Sequence, residues 1–130
     1  MKNHLSWIAL FLLISCQQPS ASREMSVLEV MGQINNDFCL LIDVREKGSF
    51  TKMISPSIWI PYSDIEKQQN DLANLLPKNL QDKTIVVYAD QTNLSIQACQ
   101  ILMKAKYKCN YLKSFSDWEE NNLPTKPMTF

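Results

Sequence analysis

The feature that most constrains this chain is the run Phe38-Cys39-Leu40-Leu41-Ile42-Asp43-Val44, apolar throughout except for Asp43 near its end. A strand with water on one face alternates apolar and polar residues, so an unbroken run of this kind reads as a strand covered on both sides. Thr84-Ile85-Val86-Val87-Tyr88 repeats the pattern with β-branched residues. Ser57-Ile58-Trp59-Ile60-Pro61 is a shorter strand stopped by proline, and Cys109-Asn110-Tyr111-Leu112 is a last one. Helical signals lie between them. Ser26 and Glu29 form a capping box, with Met25 facing Val30 as a staple, for a helix reaching Ile34. Ser63 and Glu66 repeat the box and open a helix of about three turns, with Ile65, Leu72, Leu75 and Leu76 inward and Pro77 as the stop. Ser95 to Lys106 returns to helical spacing through Ile96, Cys99, Leu102 and Met103, and Ser116 with Glu119 caps a terminal helix carrying Trp118. Strands separated by helices require right-handed crossovers. The expected fold is therefore α/β in three layers, a central parallel sheet of about five strands with helices on both faces.

With 130 residues, the chain holds one such core and not two. Thirteen basic residues balance thirteen acidic ones, which leaves no electrostatic footprint for nucleic acid. The two glycines, Gly32 and Gly48, lie in no glycine-rich run, so dinucleotide-binding and P-loop readings are excluded.

Lys2 and His4 precede the apolar stretch Leu5 to Ile14, too short to span a membrane comfortably and suited to the core of a secretory signal. Leu13-Ile14-Ser15-Cys16 resembles the lipobox of bacterial lipoproteins. The resemblance implies removal of residues 1–15 and acylation of Cys16. Several acyl chains hold a protein on a membrane far more firmly than one. Residues 16–24 then read as the lipidated cysteine and a polar leash, and 25–130 as the domain. Gln17 after the cysteine resembles the pattern sorted to the outer membrane. The expected location is the bacterial cell envelope, lipid-anchored, with the periplasmic face of the outer membrane favoured.

Leu41-Ile42-Asp43-Val44-Arg45-Glu46, Phe50, Ile58-Trp59-Ile60-Pro61, Ile85-Val86-Val87-Tyr88, Trp118 and Leu123-Pro124 together resemble the rhodanese-like domain, over residues 26 to 125. That resemblance implies a rhodanese-like α/β fold and a short loop after Tyr88 that cradles anions. Active members carry a nucleophilic cysteine at the first loop position and commonly an arginine late in the loop. A helix N-terminus and a cation both favour the thiolate that this chemistry needs. Here Ala89 stands at the cysteine position and Leu94 at the arginine position. Asp90, Gln91, Thr92 and Asn93 between them lack glycine and add a carboxylate that repels an anionic sulfur. The segment Ala89 to Ser95 keeps the length of the sulfurtransferase loop and not the longer loop of related phosphatases. Upstream, Lys52-Met53-Ile54-Ser55-Pro56-Ser57 departs from the family's Gly-His-Ile-Pro-Gly-Ala, so the pocket wall is expected to differ as well.

The remaining cysteines read as packing residues ahead of a relocated nucleophile. Cys39 and Cys109 open buried strands and Cys99 lies on the apolar side of its helix, where cysteine acts as a small hydrophobe. The resemblance separates the strands of Cys39 and Cys109 by the Val-Val-Tyr strand, too far for a bridge, so no structural disulfide is expected. There is no Cys-x-x-Cys, and the sole histidine, His4, precedes the cleavage point, which excludes a zinc site or a histidine triad from the mature domain. No cofactor is expected. Asp43 reads as a strand-end residue bonded to nearby backbone and Asp90 as a cap for the loop. Lys104, Lys106, Lys108 and Lys113 read as a solvated face, and Trp59 and Trp118 as packing residues. The resulting expectation is a membrane-anchored, catalytically inactive rhodanese-like module that binds or regulates a protein partner. The alternative is a sulfurtransferase or thiol-redox enzyme using a relocated cysteine such as Cys99.

Overall fold

The computed structural model describes residues 21–128 other than 49 and 81. The expected signal sequence, Cys16 and the first half of the leash lie outside the described residues. The elements run β1 (Glu24–Met25), α1 (Val27–Asn35), β2 (Cys39–Asp43), β3 (Lys52–Ile54), β4 (Ile58–Trp59), α2 (Tyr62–Lys67), a 3-10 turn (Leu72–Asn74), β5 (Thr84–Tyr88), α3 (Thr92–Lys104), β6 (Cys109–Leu112), α4 (Phe115–Glu120) and β7 (Thr125–Pro127). The main sheet has the order β1-β6-β5-β2-β4, and every neighbouring pair in it is parallel. Successive side chains of a strand point to opposite faces, and each face of this sheet is covered. Leu41, Val86, Tyr88 and Leu112 pack with Val30 of α1 and with Phe115 and Trp118 of α4. Ile42, Ile85 and Val87 pack with Ile65 of α2 and with Ala98, Cys99 and Leu102 of α3. The three expected layers are present.

The capping box of α1 forms as its sequence implies, with Glu29 N–H on Ser26 Oγ at 3.1 Å and Ser26 N–H on Glu29 Oε1 at 3.3 Å. Met25 and Val30 bury in one core layer. Other boundaries differ from expectation. Glu24, read as leash, belongs to β1, because Glu24 and Met25 pair with Tyr111 and Leu112 of β6.

The second capping box is absent. Pro61 precedes α2 without a side-chain cap, and a carboxylate from another segment takes that role: Glu46 accepts both the Ser63 N–H at 2.7 Å and the Ser63 hydroxyl at 2.9 Å. Glu66 instead accepts from Tyr62 Oη at 3.0 Å. The helix ends at Lys67, and the 3-10 turn carries Leu72 and Leu76 to the layer that Ile65 occupies. Asn and Asp compete with a helix for backbone hydrogen bonds. Asn70 and Asp71 stand at the break, where Asp71 takes the side-chain amide of Asn74.

The terminal helix is capped by Ser114, whose Oγ accepts the Asp117 N–H at 3.1 Å, and not by Ser116. Burial of Phe115 fixes this earlier start.

A small antiparallel ladder pairs β3 with β7. Pro124 O accepts both the Trp118 indole N–H at 2.9 Å and the Ser55 N–H at 3.1 Å. Tyr88 anchors the same segment from the sheet. Its hydroxyl accepts the Ile54 N–H and lies 3.0 Å from Ser57 Oγ, while Ser57 Oγ lies 2.6 Å from Ile54 O. Burial first, and then the Asp43 carboxylate, push the Tyr88 phenol far above its ordinary range, so it stays protonated.

Candidate functional site

In open parallel sheets, ligands bind outside the carboxyl ends of the strands, where connections diverge. Here β2 leads to β4 and β5 leads to β6 in opposite directions, so the ends of β2 and β5 define that place. They carry Asp43-Val44-Arg45 and Tyr88-Ala89-Asp90.

A buried ion pair forms the floor. Asp43 is fully buried and Arg45 is 3% exposed. Arg45 Nε reaches both Asp43 oxygens at 3.0 and 3.1 Å, and Nη2 reaches Oδ2 at 2.6 Å. The Arg45 backbone N–H also donates to Asp43 Oδ1 at 3.0 Å, as expected of a strand-end aspartate. Nη2 donates further to Lys52 O at 2.6 Å. The guanidinium lies between two rings, 4.0 Å from the centre of Phe50 and 4.3 Å from that of Phe115. Burial works against its charge, but Asp43, with Tyr88 and Asp90, more than offsets this and raises its pKa. The Arg45 carbonyl in turn accepts the Trp59 indole N–H at 2.8 Å.

The wall comes from the segment after β5. Ala89 is fully buried in the core, and its carbonyl accepts the Phe115 N–H at 2.9 Å. Asp90 is no cap. Its side chain is 66% exposed and faces Arg45 Nη1 at 3.6 Å, while Gln91, the residue before α3, makes no side-chain cap hydrogen bond. Because α3 starts at Thr92, the expected six-residue loop is shorter, and Thr92, Asn93 and Leu94 form the first helical turn. The Thr92 hydroxyl turns to Lys113 O at 2.8 Å.

Asp90, Gln91 and Leu94 line an open depression of ≈ 440 Å³ together with Arg45, Glu46, Gly48 and Phe50. Thr92 and Asn93 are not part of its lining, and Ala89 lies beneath it in the core. Among the described residues, none of the lining side chains carries a thiol, hydroxyl or amine. The depression therefore offers two carboxylates, the Arg45 guanidinium, an amide and apolar surface. Sequence reasoning missed the structural roles of Glu46 and Phe115. A carboxylate capping a distant helix, and a ring stacked on a distant guanidinium, leave no local periodicity to read.

Cys99 lies in the core two turns from the start of α3, about 10 Å along the helix at the usual rise per residue. Cys39 and Cys109 stand on strands flanking β5, as the resemblance implied. Burial also pushes the half-buried Cys39 thiol up. Lys104, Lys106, Lys108 and Lys113 are exposed. Among the described residues, no group of three or more His, Cys, Asp or Glu side chains is placed to hold a metal ion. No described helix is long and apolar enough to cross a membrane.

The family model described as Rhodanese-like domain matches residues 26–121. No curated protein matches the chain. Among solved structures, a full-length protein from Lactobacillus plantarum is similar, with TM-score 0.68 at 21% identity over 81% of this chain and 88% of that one. A rhodanese-related protein from Thermoplasma volcanium gives TM-score 0.64 at 22% identity over 80% and 97%. A thiosulfate sulfurtransferase from Pseudomonas aeruginosa gives TM-score 0.66 at 15% identity over 84% of this chain but 22% of that larger one.

Proposed function

The chain belongs to the rhodanese-like domain family, and from that premise we propose that it is a catalytically silent member, held on a bacterial envelope membrane through Cys16 and acting as a binding or regulatory module for a protein partner. Ala89 carries this reading. A methyl group sealed in the core follows β5 where the resemblance puts the nucleophile, so no persulfide forms there. Two neighbours support it. Leu94 supplies no charge, and the exposed Asp90 carboxylate would repel an anionic sulfur by roughly 4 kcal/mol at a separation of about 4 Å near a protein surface. Anchoring rests on the lipobox resemblance of Leu13 to Cys16.

Thiosulfate:cyanide sulfurtransferase assays test the silence. The native chain is expected to run at the background rate, and the Ala89→Cys, Leu94→Arg double variant to rise above it. Turnover by the native chain would refute the proposal and direct attention to Cys99. Anchoring is tested separately by fractionating bacterial cells that express the full chain. The native chain should pellet with membranes and the Cys16→Ser chain should lose the acyl mass at that position. An unacylated Cys16 in membrane-bound protein would overturn the lipid anchor.

A further inference from the structure

Cys99 of α3 and Cys109, the first residue of β6, converge on one atom. Their Sγ atoms lie 3.2 and 3.6 Å from the backbone oxygen of Asn110, and both side chains are buried in the layer between the sheet and α3. The turn that ends α3 brings them together. Lys106 adopts φ 75°, its N–H bonds Met103 O at 2.9 Å, and the Tyr107 N–H bonds Leu102 O at 3.1 Å. That paired closure reverses the chain at a helix end, so β6 starts beneath the helix face that carries Cys99. Cys39 is excluded from the pair, two strands away in β2.

Access comes from one side. Cys109 lines an open depression of ≈ 350 Å³ with Met103, Tyr107 and two exposed lysines, Lys106 and Lys108. The lysines favour a reagent that carries carboxylates. Burial, and then the neighbouring Cys99 thiol, push the Cys109 thiol well above its ordinary range, so it rests protonated.

We propose that Cys99 and Cys109 are a redox-active dithiol, closed to an intramolecular disulfide by low-molecular-weight disulfides that bear carboxylates. Cys109 gives up its proton and its thiolate attacks one sulfur of the reagent. The reagent's S–S bond breaks, and the departing thiolate takes the proton. Cys99, deprotonated in turn, attacks Cys109 Sγ and expels the second thiol. Two electrons pass from the protein sulfurs to the reagent, which leaves as two thiols.

The test uses the full chain carrying Cys16→Ser, equilibrated in mixtures of oxidised and reduced glutathione, quenched by alkylation and digested with trypsin. Cys39, Cys99 and Cys109 fall on separate peptides because Arg45, Lys104, Lys106 and Lys108 lie between them. As the mixture becomes oxidising, the Cys99 and Cys109 peptides should disappear together. One linked peptide, lighter than their sum by two hydrogens, should replace them while Cys39 stays alkylated. Stable glutathione adducts on either cysteine, a linkage through Cys39, or full alkylation at the most oxidising ratio would each overturn the pair. The Cys99→Ala chain should trap glutathione on Cys109, and its failure to do so would overturn the order of attack. These outcomes are independent of the sulfurtransferase assay, which reads the segment after β5.

Discussion

Asp43→Asn is expected to destabilise the chain by about 3–5 kcal/mol, because it removes one partner of a buried ion pair and strands the other. Arg45 Nε and Nη2 make three close contacts with the Asp43 carboxylate. The amide keeps the shape but offers one acceptor and no charge to a guanidinium that packs on the Phe50 and Phe115 rings. Urea denaturation checks the loss as a lower midpoint with an unchanged slope. Replacing both partners, Asp43→Leu with Arg45→Met, should recover most of it, since no charge is then left alone. A loss below about 1 kcal/mol for the single change would mean that the pair behaves like a solvated one.

Trp118→Ala is the second large effect, a loss of about 3–5 kcal/mol. Trp118 is fully buried in the layer of Met25, Val30, Leu41 and Tyr88. Its indole N–H also holds Pro124 O, the carbonyl that receives the Ser55 N–H. Truncation therefore opens a cavity and loosens the tie between α4 and the β3–β7 ladder. In a domain of this size, each kcal/mol moves the melting temperature by about 4–8 °C, so calorimetry should show a fall of more than about 12 °C. Trp118→Phe keeps most of the bulk and should lose much less. Equal losses for the two variants would assign the effect to the hydrogen bond and not to the cavity.

The parallel layers were readable because burial on both faces leaves its mark within a few residues, as in Leu40-Leu41-Ile42 and Ile85-Val86-Val87. The pairing of β1 with β6 was not, since two residues carry no period and their partners lie far along the chain. The same holds for β3 with β7, whose register is set by Tyr88 and Pro124 and not by the pattern of Lys52 to Ile54. Local rules misplaced caps wherever a distant group won. Ser63 and Glu66 match the capping box, yet Glu46 supplies the closer acceptor. At the candidate site, Ala89, Asp90, Gln91 and Leu94 were legible as a changed segment. That Asp90 faces Arg45 was not, because the contact exists only once β2 and β5 lie side by side. Cys99 and Cys109 escaped notice as a pair for the same reason.

The backbone between β5 and α3 is tied at both ends to the chain that follows β6, at the Ala89 carbonyl and at the Thr92 hydroxyl. A free residue that becomes ordered on association loses about 1–2 kcal/mol of backbone freedom. Residues 90 and 91 are already held, so little of that loss falls on a partner that docks against them. Preorganised surfaces of this sort meet a partner without rearrangement, and changes in their side chains alter residence time far more than rate of encounter. For the protein partner proposed above, selectivity at this face would then lie in how long the outline and charge of Asp90 and Gln91 hold it.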